Sequence, residues 1–120
     1  MKINPVRDKS FAFALRVVNL AKFLESQKKE FVLSRQVLRS GTAIGALVRE
    51  AEHAESKADF IHKMSIALKE ANDTSYWLEL LYQGEYIDAQ KFEASRYDND
   101  ELIKLLVAIV KTSKGSSRSE

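Results

Sequence analysis

Apolar residues recur at helical spacing through almost the whole chain, and little interrupts them: of 120 residues only Pro5 is a proline and only four are glycines. Such a pattern favours long helices over strands joined by turns. Four segments carry it. In the first, roughly Ser10 to Ser26, Phe13, Val17, Leu20 and Leu24 repeat at i, i+4, i+7, i+11, the spacing of one buried stripe. The second begins near Ser34, read as its N-cap, and repeats with Val37, Gly41, Ile44, Val48 and Ala51. The third starts at Ser56, where Ser56 and Asp59 have the form of a capping box, and should stop near Gly84. Its seam is Phe60, Met64, Ala67, Ala71, Thr74, Leu78 and Leu81. The fourth opens at Asp88, with Ile87 and Phe92 placed as a hydrophobic staple, and turns Leu102, Ile103, Leu106, Ile109 and Val110 to the core. Ser95 and Asn99 occupy seam positions in its first half, which predicts weaker packing there. The connections are short: about eight residues, then one or two, then about three or four, within the uncertainty of boundary reading. The predicted fold is all-α, an antiparallel up-down-up-down four-helix bundle over residues 1–112. A polar, Ser-rich, basic tail over 113–120 is expected to be disordered.

Two details need more than one burial to explain them. The second segment places Gly41 on its seam and Gly45 on the flank, although each glycine costs a helix about 1 kcal/mol relative to alanine. Missing side chains let a neighbouring helix come close, so the notch is expected to face another helix of the bundle. A phosphate-cradling glycine loop would need a preceding strand and a fuller motif. The first segment carries a second apolar stripe, Phe11, Leu15 and Val18, about 150° from its seam by the helical period. The third likewise carries Ile66, Tyr76, Trp77 and Leu80 away from its seam. Surplus stripes of this kind point to a second contact outside the bundle core.

The absence of cysteine excludes disulfides and thiolate metal sites and is compatible with a reducing compartment. No apolar run approaches a membrane span and the N-terminus has no signal-like core, so a soluble cytoplasmic protein without a membrane partner is expected. Charge is unevenly spread. Residues 1–49 hold ten Lys/Arg against three Asp/Glu, residues 50–103 five against thirteen, and residues 104–120 four against one. Oppositely charged helices can attract within the fold or between subunits; a basic face can equally meet a polyanion.

Catalytic chemistry finds no footing. Glu50 with His53 and Asp59 with His62 match the acid-x-x-His spacing of di-iron bundles, but both histidines rotate away from the seams and no inward carboxylate set accompanies them. Neither a metal nor another cofactor is expected. No nucleophile elbow or inward Ser/His/Asp set can be placed, so no catalytic residue is assigned and the chain does not read as an enzyme. Opposite the seam of the second segment lie Arg35, Arg39 and Arg49, with Thr42, Ala46 and His53 among them. Lys28 and Lys29 precede this helix and Arg16 lies on the first. Arginines on such a face can make bidentate phosphate contacts, and small residues between them would let a phosphate backbone lie close; an ordinary solvated face has the same composition. No aromatic residue is interleaved on this stripe, so base stacking is not expected.

The run from Gln36 to Leu81, QVLRSGTAIGALVREAEHAESKADFIHKMSIALKEANDTSYWLELL, resembles the central signature of the four-helix-bundle family of proteins encoded in intervening sequences of bacterial 23S rRNA genes. Gln36, Arg39, Ser40, Gly41, Thr42, Ile44, Gly45, Glu50 and Ala51 match it, as do Ser56, Asp59, Phe60, Lys63, Ile66, Ala67, Lys69, Glu70, Tyr76, Trp77 and Leu78. Ala43 and Leu47 depart from the usual Ser and Asn, and Asp73 and Thr74 from a common Arg-Glu pair. The resemblance implies a left-handed bundle and, in relatives that include the accessory variability protein of diversity-generating retroelements, a nucleic-acid-binding homopentamer. It offers one explanation for the surplus stripes. The expected function is therefore a non-enzymatic homo-oligomer that binds nucleic acid, structured RNA above all, through Arg16, Lys28, Lys29, Arg35, Arg39 and Arg49. The alternative is a scaffold that uses the same ring to hold a protein partner and binds no nucleic acid.

Overall fold

The protein folds, in a computed structural model that describes residues 4–119, into four helices and no strands among the described residues. They are α1 (Asn4–Gln27), α2 (Leu33–Ala51), α3 (Lys57–Gln83) and α4 (Ala89–Ser119). Each helix packs on its sequence neighbours, and α1 closes the ring on α4; α1 and α3 lie diagonally opposite each other, as do α2 and α4. With short connections this is the expected antiparallel up-down-up-down bundle, a rod of 53 × 21 × 20 Å. The seams meet inside. Phe13, Leu24, Ile44, Met64, Leu78, Leu81, Leu102 and Leu106 are all fully buried, each burial contributing about 1.5–3 kcal/mol.

The glycine notch faces inward. A Cβ built on Gly41 would lie 2.8 Å from Val17 Cγ2 and 2.9 Å from Val17 Cγ1, so α1 and α2 touch where a side chain is missing. Gly45 faces the Ser10 backbone of α1 at 3.4 Å, an ordinary contact distance. The two glycines therefore do different work. Only Gly41 is required for the helices to come this close.

The ends of the elements differ from the sequence reading at several points. α1 starts at Asn4 rather than Ser10, because Pro5 sits in the first turn, where its missing N–H would have no helical partner anyway. Val6 is thereby added to the core. Ser34 is not the N-cap of α2. It is buried inside the helix, its hydroxyl 3.3 Å from Glu25, and the carboxylate of Glu30 accepts the N–H groups of Val32, Leu33 and Ser34 at 3.1, 3.0 and 2.8 Å. A charged acceptor reaching forward from the turn has replaced the hydroxyl cap. Ser56 and Asp88 do cap α3 and α4, accepting from Asp59 N at 3.0 Å and Lys91 N at 2.8 Å, and the Ile87–Phe92 staple is buried.

α3 ends at Gly84 as expected, yet Gly84 has φ −79° and the left-handed residue is Glu85, φ 67°. Tyr86 N donates to Leu81 O and Glu85 N to Tyr82 O, which closes the paired hydrogen-bond pattern of a Schellman turn around a non-glycine. All three turns span five residues, 28–32, 52–56 and 84–88. α4 continues as helix to Ser119, across the segment read as a disordered tail, and Ser113 is buried. Residues 1–3 and 120 of the expected bundle and tail lie outside the described residues.

The first half of α4 combines two outcomes. Toward α3 its packing is specific: the Asn99 amide donates to Ala71 O at 2.9 Å and to Ser75 Oγ at 2.8 Å. Toward α1 it is loose, and a groove of about 520 Å³ opens between the helices beside Leu15, Leu20, Phe23 and Ser95. The small serine cannot reach across, so the weaker packing expected from Ser95 falls on this seam alone.

The glycine geometry predicts opposite results for two superficially identical changes. Gly41→Ala drives a methyl into the β-branched, rotamer-restricted Val17 and should cost about 1–3 kcal/mol in urea unfolding. Gly45→Ala meets only ordinary contact and should leave stability unchanged or raise it by up to about 1 kcal/mol through helix propensity.

Candidate nucleic-acid interface

The contact at Gly41 sets the rotation of α2, and that rotation places Arg35, Arg39 and Arg49 on its solvent face. From Arg35 to Arg49 the face runs about 21 Å at the helical rise. The three arginines are not equivalent. The Arg39 guanidinium lies 3.4 Å from Glu70 Oε1 and 3.5 Å from Glu70 Oε2, bridging α2 to α3. Glu70 is buried, and its Oε1 accepts no hydrogen bond among the described residues, so Arg39 is the cation that offsets a desolvated carboxylate. Arg35 and Arg49 pair with no carboxylate among the described residues. The Arg49 guanidinium lies over the Phe11 ring of α1, 5.4 Å from its centroid, a cation–π contact that leaves its donors open to an anion. Gly45, Ala46 and Thr42 floor a shallow groove of about 290 Å³ between Phe11 and Arg49. Small residues on this face thus leave room beside the cations, as the sequence pattern predicts.

Arg16 sits elsewhere. Its Nε donates to Asp98 Oδ2 at 2.7 Å and, with Lys9 to Glu101 at 3.3 Å, ties α1 to α4. Lys63 bridges to Glu50 at 3.1 Å between α3 and α2, and that hydrogen bond holds its pKa above the ordinary lysine range. Much of the charge asymmetry is therefore consumed as interhelix pairs within one chain, which water screens where they are exposed. Lys28 and Lys29 are exposed in the first turn, Lys29 with φ 53°. The Lys28 ammonium is 5.9 Å and that of Lys91 4.5 Å from the centroid of the Phe23 ring. No aromatic residue is interleaved on the α2 stripe itself, but α1 brings two to the basic groups: Phe11 reaches Arg49, and Phe23 lies beside Lys28 and Lys91.

The surplus apolar stripes are present and separate. Phe11, Leu15 and Tyr76 are more than half exposed. Val18, Ile66, Trp77 and Leu80 are half-buried, and Trp77 packs against the core while meeting Tyr76 edge-on, with 5.1 Å between centroids. Because α1 and α3 are diagonal, the two stripes lie on opposite sides of the rod. His53 and His62 are exposed near the α2–α3 turn, and among the described residues no group of three or more His, Asp or Glu side chains is arranged to hold a metal ion. No helix among the described residues is long and apolar enough to cross a membrane.

The sequence profile of the 23S rRNA-intervening sequence protein family matches residues 2–108, nearly the whole bundle. The chain belongs to this family. The bundle is also similar to the crystal structure of a protein of unknown function from the S23 ribosomal protein family of Bacteroides thetaiotaomicron VPI-5482, at 59% identity and a TM-score of 0.90, over 92% of this chain and 99% of that one. No curated protein matches the chain. The family match spans the glycine notch, the Arg39–Glu70 pair and the Arg35–Arg49 face alike.

Truncating Arg39 should expose its structural role. Arg39→Ala leaves the Glu70 carboxylate buried without its cation and is expected to cost about 1–3 kcal/mol by chemical denaturation. Adding Glu70→Gln to that variant should recover part of the loss. Equal stability of Arg39→Ala and the wild type would show that the pair carries no weight.

Proposed function

We propose that the protein is a non-enzymatic, cytoplasmic homo-oligomer, a pentamer by family resemblance, that binds structured RNA through the phosphate backbone. The observation that carries this reading is the α2 face, where Arg35 and Arg49 stand without carboxylate partners among the described residues, beside a groove floored by Gly45 and Ala46. Guanidinium groups flanking a shallow, side-chain-poor channel suit phosphate oxygens. The family's name, which ties it to 23S rRNA intervening sequences, is in keeping with an RNA ligand. Lys28 and Lys29 extend the basic surface past the start of α2, whereas Arg16 and Arg39 serve mainly to hold helices together.

Self-association is supported by the two apolar stripes. A stripe on α1 and another on the diagonal helix α3 cannot be one self-complementary patch, so a contact between them would be head-to-tail, the kind that forms a ring where the rotation between copies closes. Repetition of the α2 face around a ring would add avidity to a modest single-copy affinity.

Both parts are testable. Arg35→Ala/Arg49→Ala should weaken binding to an RNA hairpin by about tenfold or more and lower the salt slope by about two. An unchanged slope would reject these residues as phosphate contacts. For assembly, Leu15→Glu and Tyr76→Glu should each reduce the light-scattering mass to that of a monomer. Mixing the two variants should restore a dimer, since each retains one intact stripe. Failure of the mixture to pair would reject the head-to-tail contact.

A further inference from the structure

The two turns at one end of the rod, 28–32 and 84–88, bring together residues that are far apart in sequence. Between them lies a pocket of about 280 Å³ walled by Phe23, Tyr82 and Tyr86 and rimmed by Lys28 and Lys91. Tyr82 is held by a parallel stack on Phe92, with centroids 4.4 Å apart and planes inclined by 6°. The ammonium groups of Lys28 and Lys91 meet the same Phe23 ring and pair with no carboxylate among the described residues. Two carboxylates, Glu85 and Asp88, complete the lining; Asp88 is occupied in part by its N-cap bond, and Glu85 pairs with no cation among the described residues. Phe23 and Lys91 also line the α1–α4 groove, of about 520 Å³, which reaches Arg16, so the two cavities share a wall.

We propose that this turn-end pocket binds the terminus of a single-stranded nucleic acid, one base against the tyrosines and its phosphates at Lys28 and Lys91, with the following nucleotide in the α1–α4 groove. The proposal rests on reading the protein as a nucleic-acid binder and adds a second, separate site to it. Aromatic faces beside lysines are the requirement for stacking an unpaired base while holding its backbone. The carboxylates of an acidic peptide would meet the lysines but bring no donor to Glu85, whereas the amino group of a base would donate to that carboxylate. A duplex is too wide for a pocket at the small end of ligand sites. The groove across the shared Phe23–Lys91 wall gives a following nucleotide a place, which favours a strand over a free mononucleotide.

The test compares anisotropy titrations at low salt of a labelled single-stranded RNA octamer with those of a blunt RNA hairpin, and uses guanosine monophosphate and an oligoglutamate peptide as competitors. Lys91→Ala should weaken the octamer about fivefold or more and leave the hairpin unchanged, and adding Lys28→Ala should weaken the octamer further. Tyr86→Ala should weaken the octamer about fivefold or more, while Tyr86→Phe retains it. Thermal unfolding of each variant confirms that the bundle persists. Arg35→Ala/Arg49→Ala should show the opposite pattern, so hairpin binding that depends on those arginines, with octamer binding indifferent to the lysines, overturns this proposal alone. Loss of arginine dependence with the lysine dependence intact overturns only the α2 reading. An octamer no tighter than guanosine monophosphate, or displacement by oligoglutamate in place of RNA, also overturns it.

Discussion

The close contact of α1 and α2 at Gly41 organises the molecule. With Val17 seated where a Cβ would be, α2 has one allowed rotation against its neighbour. That rotation buries Val37, Ile44 and Val48 and turns the arginines to solvent. Interiors are close-packed, so a shift of even a methyl at this point is felt along the interface. The helix-propensity cost of a mid-helix glycine is small beside the burial it permits.

A second constraint is polar. The bundle centre is not purely hydrocarbon. The Thr74 hydroxyl lies 2.8 Å from both the Ser40 hydroxyl and the Glu70 carbonyl, and Asn99 binds Ala71 and Ser75. The Thr74–Ser40 bond crosses from α3 to α2, and those of Asn99 cross from α4 to α3. They fix the register of helices whose apolar seams alone would tolerate sliding, since a buried polar group out of register loses its partner. The α1–α4 seam has exposed ion pairs in place of such buried bonds, and it is the seam that opens into a groove.

The same economy shapes the surface. Cations drawn into interhelix pairs, Arg16 and Arg39 among them, are spent on cohesion. Those left without carboxylates among the described residues, Arg35 and Arg49 on α2 and Lys28 and Lys91 near the turn end, stand beside aromatic rings or small side chains. Formal charge counted along the chain does not separate the two groups; only the partner does.

With residue type marking the caps at Ser56 and Asp88, periodicity determined the number of helices, their seams, the inward glycine notch and the outward side of α2, because a helix converts spacing directly into direction. It could not find the Glu30 cap, since a carboxylate reaching forward from a turn leaves no periodic trace. Nor could it find the burial of Glu70, which depends on Arg39 arriving from another helix. The left-handed residue fell on Glu85 rather than Gly84 because the hydrogen bonds of Tyr86 and Glu85 to α3 set the turn, not local preference. The turn-end pocket was equally hidden: Phe23, Lys28, Tyr82, Tyr86 and Lys91 become neighbours only when an up-down-up-down chain brings its first and third turns to one end. Sequence spacing governs what one helix shows. What two helices make together is decided by packing, and both the free cations and the cavities belong to that second kind.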